Sequence, residues 1–399
     1  MLALIITKII DRIIGILIKI NRSIPLSSES PSIINYRKKK TNTIITHVSA
    51  FTYGNAGDTI LPIALRDTWH AVKEEINWNT QHVYPVVDEE IVKRINKSKG
   101  LIIGGGGLFL RDTNKNDISG WQWPCSTNML EKINVPIILF AIGYNRFRGQ
   151  EDFDSIFYEN IKALAKKAEY IGLRNNGSIN AIKNYLPEEL HYKLRFQPCM
   201  TTFLAKLYPQ LCNYKKKEGF IAINTAFDRP HHRFGSEIGN ILSSLARVAK
   251  HLSAEHSIKF YSHMPTDEAF LPFLRAFDVP FELVKLDNTH PTEILRQYAK
   301  PNLVIGMRGH AQMIPFGCCT PIVSIVSHNK MQWFLDDIQK PHWGVDVLSK
   351  NFEEELLNRA TTSLNNTKEE IEYIDLKQKE LYSISQENVQ IGLQAMKIC

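Results

Sequence analysis

Leu303-Val304-Ile305-Gly306-Met307-Arg308-Gly309-His310-Ala311 is the stretch on which the reading of the fold turns. Its apolar start reads as a short buried strand that stops at Gly306. Arg308 and His310 follow at the carboxyl end, and a helix opens at about Ala311. In an open parallel sheet, ligands bind outside the carboxyl ends of the strands. Arg offers a planar fork of donors for carboxylate or phosphate, and His donates to an anion or moves a proton near neutral pH. The first turn of the following helix adds free N–H groups. A surface ion pair for Arg308 and a helix cap for His310 would explain the same residues, so the rest of the chain has to decide.

Working outward, strand and helix signals alternate. In the second half, strands are expected at 219–226, 257–262, 281–285, 303–307 and 321–326. Helices lie between them near 236–253, 267–276, 291–299, 310–317 and 329–339. In the first half, strands are expected at 43–50, 100–103, 136–142 and 170–173, with helices near 59–75, 88–98, 155–168 and 176–185. Such alternation implies βαβ units and parallel sheets. The expectation is an α/β protein of two Rossmann-like parallel-sheet domains facing across a cleft, with an amphipathic helix at its N-terminus. The segments are 1–42 (amphipathic helix and basic linker), 43–214 and 215–350 (the two α/β domains, divided at Lys215-Lys216-Lys217), and 351–399, a polar helical tail that packs back on the first domain.

The 399 residues are 44% hydrophobic and 22% charged, enough for two cores, and the net charge of +7 suits an anionic substrate or a membrane surface. No basic stripe interleaved with aromatics points to nucleic acid. Lys8, Asp11, Arg12 and Lys19 interrupt the apolar residues 1–22, which excludes a membrane span and a signal peptide. A helix there would lie in a membrane interface or dock on protein, and Arg37-Lys38-Lys39-Lys40 suits acidic lipids. The six cysteines form no CxxC pair and no metal-ligand spacing, which favours a reducing compartment. The chain is therefore expected in the cytoplasm, peripheral on the inner face of the membrane.

The candidate site residues all fall at strand ends. Asn55, Gly57 and Asp58 follow the first strand; Asp58 is placed there either to accept a hydroxyl proton or to cap the helix. Gly104-Gly105-Gly106-Gly107, with Gly105 and Gly106 at its centre, permits close backbone approach to a ligand but is neither a dinucleotide fingerprint nor a P-loop. Arg174 ends the strand at 170–173. Arg229 sits in Asp228-Arg229-Pro230-His231-His232-Arg233, and Lys330 follows the strand at 321–326. The adjacent histidines point apart on an extended chain, so no metal site is expected. His263 is a weaker candidate, and Trp333 reads as core or as an acceptor platform. Together Arg174, Arg229, Arg308, His310 and Lys330 suit a compact, multiply charged anion.

These pieces resemble the polysaccharide pyruvyl transferase family. The matching residues are Gly54-Asn55-Ala56-Gly57-Asp58, the glycine run before Leu108, Ala141-Ile142-Gly143, Arg174 with Ser178, and Ile305-Gly306-Met307-Arg308-Gly309-His310 followed by Gly317, Pro321 and Lys330. The resemblance implies a GT-B-like fold. It also implies transfer of pyruvate from phosphoenolpyruvate onto two hydroxyls of a sugar to form a ketal, in an exopolysaccharide or other bacterial cell-envelope glycan or its lipid-linked precursor. It places Arg308 and His310 at the donor site, with Arg174 beside them, and it calls for no cofactor; Asp58, after the first strand, is the residue expected to serve as base. Gln197-Pro198-Cys199-Met200 departs from an acidic segment common in the family, and Gly309 replaces a larger residue. Two other readings remain: a glycosyltransferase of the same fold using a nucleotide-sugar, and a non-catalytic membrane-associated glycan-assembly protein. The first would need a ribose-binding carboxylate in the second domain, for which Glu282 and Asp287 are the obvious choices.

Overall fold

The structure, a computed structural model, describes residues 33, 42–112, 117–212 and 217–398. The expected helix at 1–22, the basic run at 37–40 and the boundary at 214/215 lie outside the described residues. Two six-stranded sheets form the protein. The first contains β1 (Ile44–Ser49), β2 (Asn77–His82), β3 (Gly100–Phe109), β4 (Ile137–Tyr144), β5 (Ala168–Leu173) and β6 (Leu194–Phe196). The second contains β7 (Phe220–Asn224), β8 (Ser257–Ser262), β9 (Phe281–Lys285), β10 (Leu303–Gly306), β11 (Ile322–Val326) and β12 (Gly344–Asp346). The orders are β2-β1-β3-β4-β5-β6 and β12-β11-β10-β7-β8-β9, and every pairing is parallel. In each sheet the order reverses next to the first strand, between β1 and β3 and between β7 and β10. Crevices for ligands open at such switch points.

Central strands such as β4 and β11 are buried throughout, as a sheet covered on both faces demands. Strands β2, β6 and β12 escape the sequence pattern because they are edge strands. β2 reads Asn-Trp-Asn-Thr-Gln-His and is only half-buried, and β6 and β12 have three residues each. The expected helix at 267–276 is a 3-10 turn, Pro265–Phe270, running into the helix Leu271–Ala276. The expected strand at 100–103 does not stop at the glycines but runs through them to Phe109. Gly104 is needed there: its φ is +154°, and a β-carbon would run into the Phe140 carbonyl oxygen. Across from it β4 is irregular, with Ala141 at φ +57° and a register shift against β5 between Leu139 and Ile142.

One hydrophobic cluster belongs to each sheet, and a third runs across both lobes, joining Leu61, Met200 and Phe203 to Met313 and Phe316. The long helix Thr367–Ala395 packs back on the first lobe. Tyr170 Oη donates to Asn388 O (3.0 Å), Asn388 Nδ2 to Gln197 Oε1 (3.0 Å), and Gln197 Nε2 to Ser385 Oγ (2.9 Å). The residue at the family's acidic position thus ties down the tail.

Candidate anion-binding site

The loop after β1 is short because Asn55, at φ −148°, caps the helix Ala56–His70 through an acceptor bond from Gly57 N (2.9 Å). That spends the Asn55 side-chain oxygen on the fold and corrects one expectation: the cap is Asn55, not Asp58. Asp58 stands free in the first turn. Burial pushes its carboxyl up to about 6, against the pull of Arg308, Lys330 and Arg174. Gly57 is required by a close approach, since a β-carbon there would run into the His310 ring.

Arg174 follows β5 and lies over the Gly143 backbone. Its Nη2 donates to Asn145 Oδ1 (3.2 Å), and Asn145 Nδ2 donates to Gly107 O (2.9 Å). The glycine run therefore reaches the site through Asn145. Gly105 itself packs against Leu61 and Met200, and Gly106 against Leu61. The absence of side chains at the two lets the helix Ala56–His70 sit close on β3. Arg174 is buried, its Nε has no partner, and no carboxylate pairs with it among the described residues.

In the second lobe Asn224 ends β7. It accepts from Arg308 N (3.3 Å) and donates to Asp267 Oδ2 (3.2 Å). Arg308 Nε lies 2.9 Å from both Asp267 oxygens, and Nη1 lies 3.1 Å from Asp228 Oδ1. Burial opposes the Arg308 charge, but Asp267 and Asp228 overcome it and hold the guanidinium firmly protonated. Arg308 does pair with carboxylates, as the simpler reading had it, but Asp267 is fully buried and Asp228 half-buried, and the pair fixes its fork. Asp228 also accepts from Arg233 Nη2 (2.9 Å), and Arg233 Nη1 donates to Ser327 Oγ (2.7 Å). Burial raises Asp228, yet Arg233, Arg308 and Arg229 together hold it well below the usual carboxylate range.

Arg229 does not face the anion site as a free cation. At φ +58°, it places Nε 2.6 Å from Asp112 Oδ2 in the first lobe and Nη1 3.2 Å from Asp228 Oδ2. It bridges the lobes, and its charge is spent there. Lys330, in the first turn of the helix Asn329–Asp337, has no ion-pair partner among the described residues. Burial, then Arg174 and Arg233, push its ammonium well below the ordinary lysine value. Burial and then Arg174 and Lys330 hold His310 down to about 3. The His310 Nε2 lies 3.9 Å from Cys199 Sγ.

Asp58, Arg174, Arg308, His310 and Lys330 thus come together from both lobes, around switch points that the strand order creates. Sequence reasoning missed Asp228, Asp267, Asn145, Phe147 and His328. Asp267 is 0% exposed yet lies in a 3-10 turn with no motif, so nothing in the sequence marks it. Asp228 stands in the Arg/His-rich loop and was legible as the counter-charge its neighbours need. Glu282 pairs with Lys259 at 2.9 Å on the surface. His328 stacks on Phe147 (4.2 Å), and its buried Nε2 has no partner. His263 is buried against Tyr298 and does not face the site as a free group. Among the described residues no group of three or more His, Cys, Asp or Glu side chains is arranged to hold a metal.

The charges nearly close. Asp267, Asp228 and Asp112 balance Arg308, Arg233 and Arg229, leaving Arg174 and Lys330 as surplus cations beside a carboxyl and an imidazole that both titrate abnormally. Unpaired buried charge is costly, so the arrangement fits a small ligand carrying at least two negative charges.

Residues 16–329 match the family described as polysaccharide pyruvyl transferase. No curated protein matches the chain. Among solved structures, S. aureus MnaA in a co-structure with UDP is similar at a TM-score of 0.53 and 11% identity, covering 90% of this chain and 98% of that one. Sucrose-phosphate synthase from Thermosynechococcus elongatus gives 0.52 and 12%, covering 90% and 100%. UDP-GlcNAc 2-epimerase from Neisseria meningitidis, bound to UDP-GlcNAc, gives 0.50 and 11%, covering 88% and 100%. At such identities the likeness establishes the GT-B-like fold and nothing of the ligand.

Proposed function

The chain belongs to the polysaccharide pyruvyl transferase family, and on that premise we propose that it moves pyruvate from phosphoenolpyruvate onto two hydroxyls of a sugar, closing a cyclic ketal on a cell-surface glycan or its precursor. The observation that carries the reading is the pair of surplus cations, Arg174 and Lys330, placed beside Asp58 and His310. Phosphoenolpyruvate brings a carboxylate and a phosphate on adjacent atoms, and two separated cations suit both.

Arg174 and Lys330 supply the uncompensated charge. Arg308, held by two carboxylates, presents its remaining N–H groups at fixed positions, and its rigidity lowers the reorganisation needed at reaction. His310, neutral in the empty site, donates an N–H to the phosphate. Asp58, with its carboxyl near 6, is the proton carrier. Its proton goes to the methylene carbon, which becomes methyl. The first sugar hydroxyl adds to C2 and returns its proton to Asp58. The C2–O bond to phosphate breaks, the second hydroxyl adds to C2, and its proton leaves with the phosphate. No redox partner enters this balance.

The same reading puts the reaction at the cytoplasmic face of the membrane, on a lipid-linked or growing exopolysaccharide. Five cysteines are free and buried, which suits a reducing compartment. No described helix is long and apolar enough to cross a membrane, and contact through residues 1–22 is tested by vesicle binding of a chain lacking them.

The test of function is phosphate release from phosphoenolpyruvate with a panel of methyl pyranosides, for wild type and Arg174→Gln. Acceptor-dependent release that falls about 10²–10³-fold in the variant, the usual loss for one preorganised donor, supports the reading. Tight binding of UDP-sugars with no binding of phosphoenolpyruvate sinks it in favour of a glycosyltransferase.

A further inference from the structure

Beside the charged site lies a separate cavity of about 350 Å³, lined among others by Tyr144, Phe147, Asp152, Tyr185, Asn329 and Trp333. Its size falls at the low end of the roughly 300–1,000 Å³ typical of small-molecule sites. Three aromatic rings tilt around it. Tyr144 and Trp333 have centroids 6.4 Å apart at 43°, and Tyr144 and Tyr185 6.3 Å apart at 34°. Trp333 is seated on Gly177, where a β-carbon would run into the indole.

The polar rim is prearranged and electrically quiet. Asp152 accepts from Tyr144 Oη (2.9 Å), from Tyr185 Oη and from Arg146 Nη1 (3.1 Å). Arg148, also on the rim, is committed to Asp346 at 2.9 and 2.6 Å. No free cation therefore faces this space, in contrast to its neighbour. The two sites share a wall. Tyr144 follows Gly143, over which Arg174 lies, and Asn329 precedes Lys330. Phe147 lines the cavity while Lys330 Nζ stands 6.0 Å from its ring centroid and Arg229 Cζ 4.8 Å.

We infer that this cavity is the acceptor subsite and takes one neutral pyranose ring of the glycan, its C–H face on Trp333 and the tyrosines and its hydroxyls on Asp152 and Asn329. An uncharged polyhydroxyl ring suits an aromatic floor with a satisfied polar rim; a phosphate or nucleotide would have to displace Asp152 or Asp346 from the two arginines that line the cavity, Arg146 and Arg148. The sharing of Phe147 and of consecutive residues places such a ring next to the anion, where a hydroxyl meets C2 of the donor. The assignment rests on the pyruvyl-transfer reading only for what the bound ring then does.

Two measurements separate the claims. Saturation-transfer NMR with methyl glucoside, methyl galactoside and methyl N-acetylmannosaminide probes the cavity, and calorimetry with phosphoenolpyruvate probes the charged site. For wild type, at least one pyranoside is expected to bind. Trp333→Ala and the shape-conserving Asp152→Asn should weaken it tenfold or more while phosphoenolpyruvate affinity stays within twofold. Pyranoside binding that is unchanged in both variants, or absent from wild type loaded with phosphoenolpyruvate, overturns the subsite. Failure of phosphoenolpyruvate to bind while the pyranoside effects hold would sink the donor assignment and leave the sugar site standing.

Discussion

Lys330 is the residue at which stability and function pull in opposite directions, and replacing it by Met separates them. Its ammonium stands in the first turn of the helix Asn329–Asp337, where the helix dipole disfavours a cation by about 0.3–1 kcal/mol. Arg174, Arg233 and Arg229 all push its proton off, and only Asp228 among its chief neighbours holds it on. One like charge about 8 Å away costs about 2 kcal/mol at an effective dielectric of about 20. Allowing for the carboxylate, Lys330→Met should stabilise the empty protein by about 1–2 kcal/mol while keeping the alkyl chain in place. For a chain of 399 residues that is a rise of about 1–3 °C in Tm. With ligand the sign reverses: a hydrogen bond to a charged group is worth about 1.5–3 kcal/mol, so phosphoenolpyruvate should bind about 10–150-fold more weakly, with less dependence on salt. Thermal melts without ligand and titrations at low and high salt measure both. A lower Tm with unchanged affinity would refute the reasoning and make Lys330 a structural residue.

Three further outcomes follow from the geometry. Arg308→Ala should cost about 3–5 kcal/mol in stability, because it strands the fully buried Asp267 carboxylate; a denaturant titration measures it, and a small loss would mean that Asp267 is not ionised. Burial raises the Asp58 pKa from the ordinary aspartate range to about 6, so its carboxyl costs stability that is absent below about pH 4 and fully felt above about pH 6. The Tm of Asp58→Asn should therefore rise above wild type as pH climbs through that window, and a constant gap would contradict the shift. Gly57→Ala should displace the His310 ring and cut phosphate release at least tenfold at saturating donor; unchanged release would show that the ring can shift at no cost.

Much of this was legible because buried parallel strands write themselves as apolar runs. β8, β10 and β11 stand out in the sequence for that reason, and β2 does not, since an edge strand needs no apolar face; β9, also an edge strand, shows instead through the alternation of Phe281, Leu283 and Val284 with charged residues. Arg174, Arg308, His310 and Lys330 were legible as charges placed at strand ends. Their partners were not. That Arg229 would be spent on Asp112 depends on which loops two separate sheets bring together across 117 residues, and that Arg308 would be spent on Asp267 on which strands of one sheet are neighbours across 41 residues. No local pattern encodes such a pairing. Asn55 and Asp58 both suit a helix cap, and only the Gly57 hydrogen bond shows which of them supplies it. At Gly105 and Gly106 glycine marks close approach, but the sequence does not say that the helix Ala56–His70 is what approaches.

The charge balance makes one more demand. The empty site leaves two cations unpaired, whereas phosphoenolpyruvate with a dianionic phosphate carries three negative charges; above a second phosphate pKa of about 6 the ligand brings more charge than the site offers. Burial and cationic neighbours hold Lys330 and His310 below their ordinary values, and burial lifts Asp58 to about 6. An arriving anion raises the proton affinity of all three, but Lys330 already carries its charge, so the protons taken up go to Asp58 and His310. Binding at pH 8 should take up protons, and affinity should fall as pH rises further. Calorimetry in two buffers of different ionisation enthalpy reads this as a slope. Net proton release, or no slope, would mean that the ligand's charge is met by fixed cations alone and that Asp58 is not recruited. Uptake that lessens in Asp58→Asn would mean that the donor itself creates the protonated carboxyl its methylene carbon requires, so that the acid is made only when there is something for it to protonate.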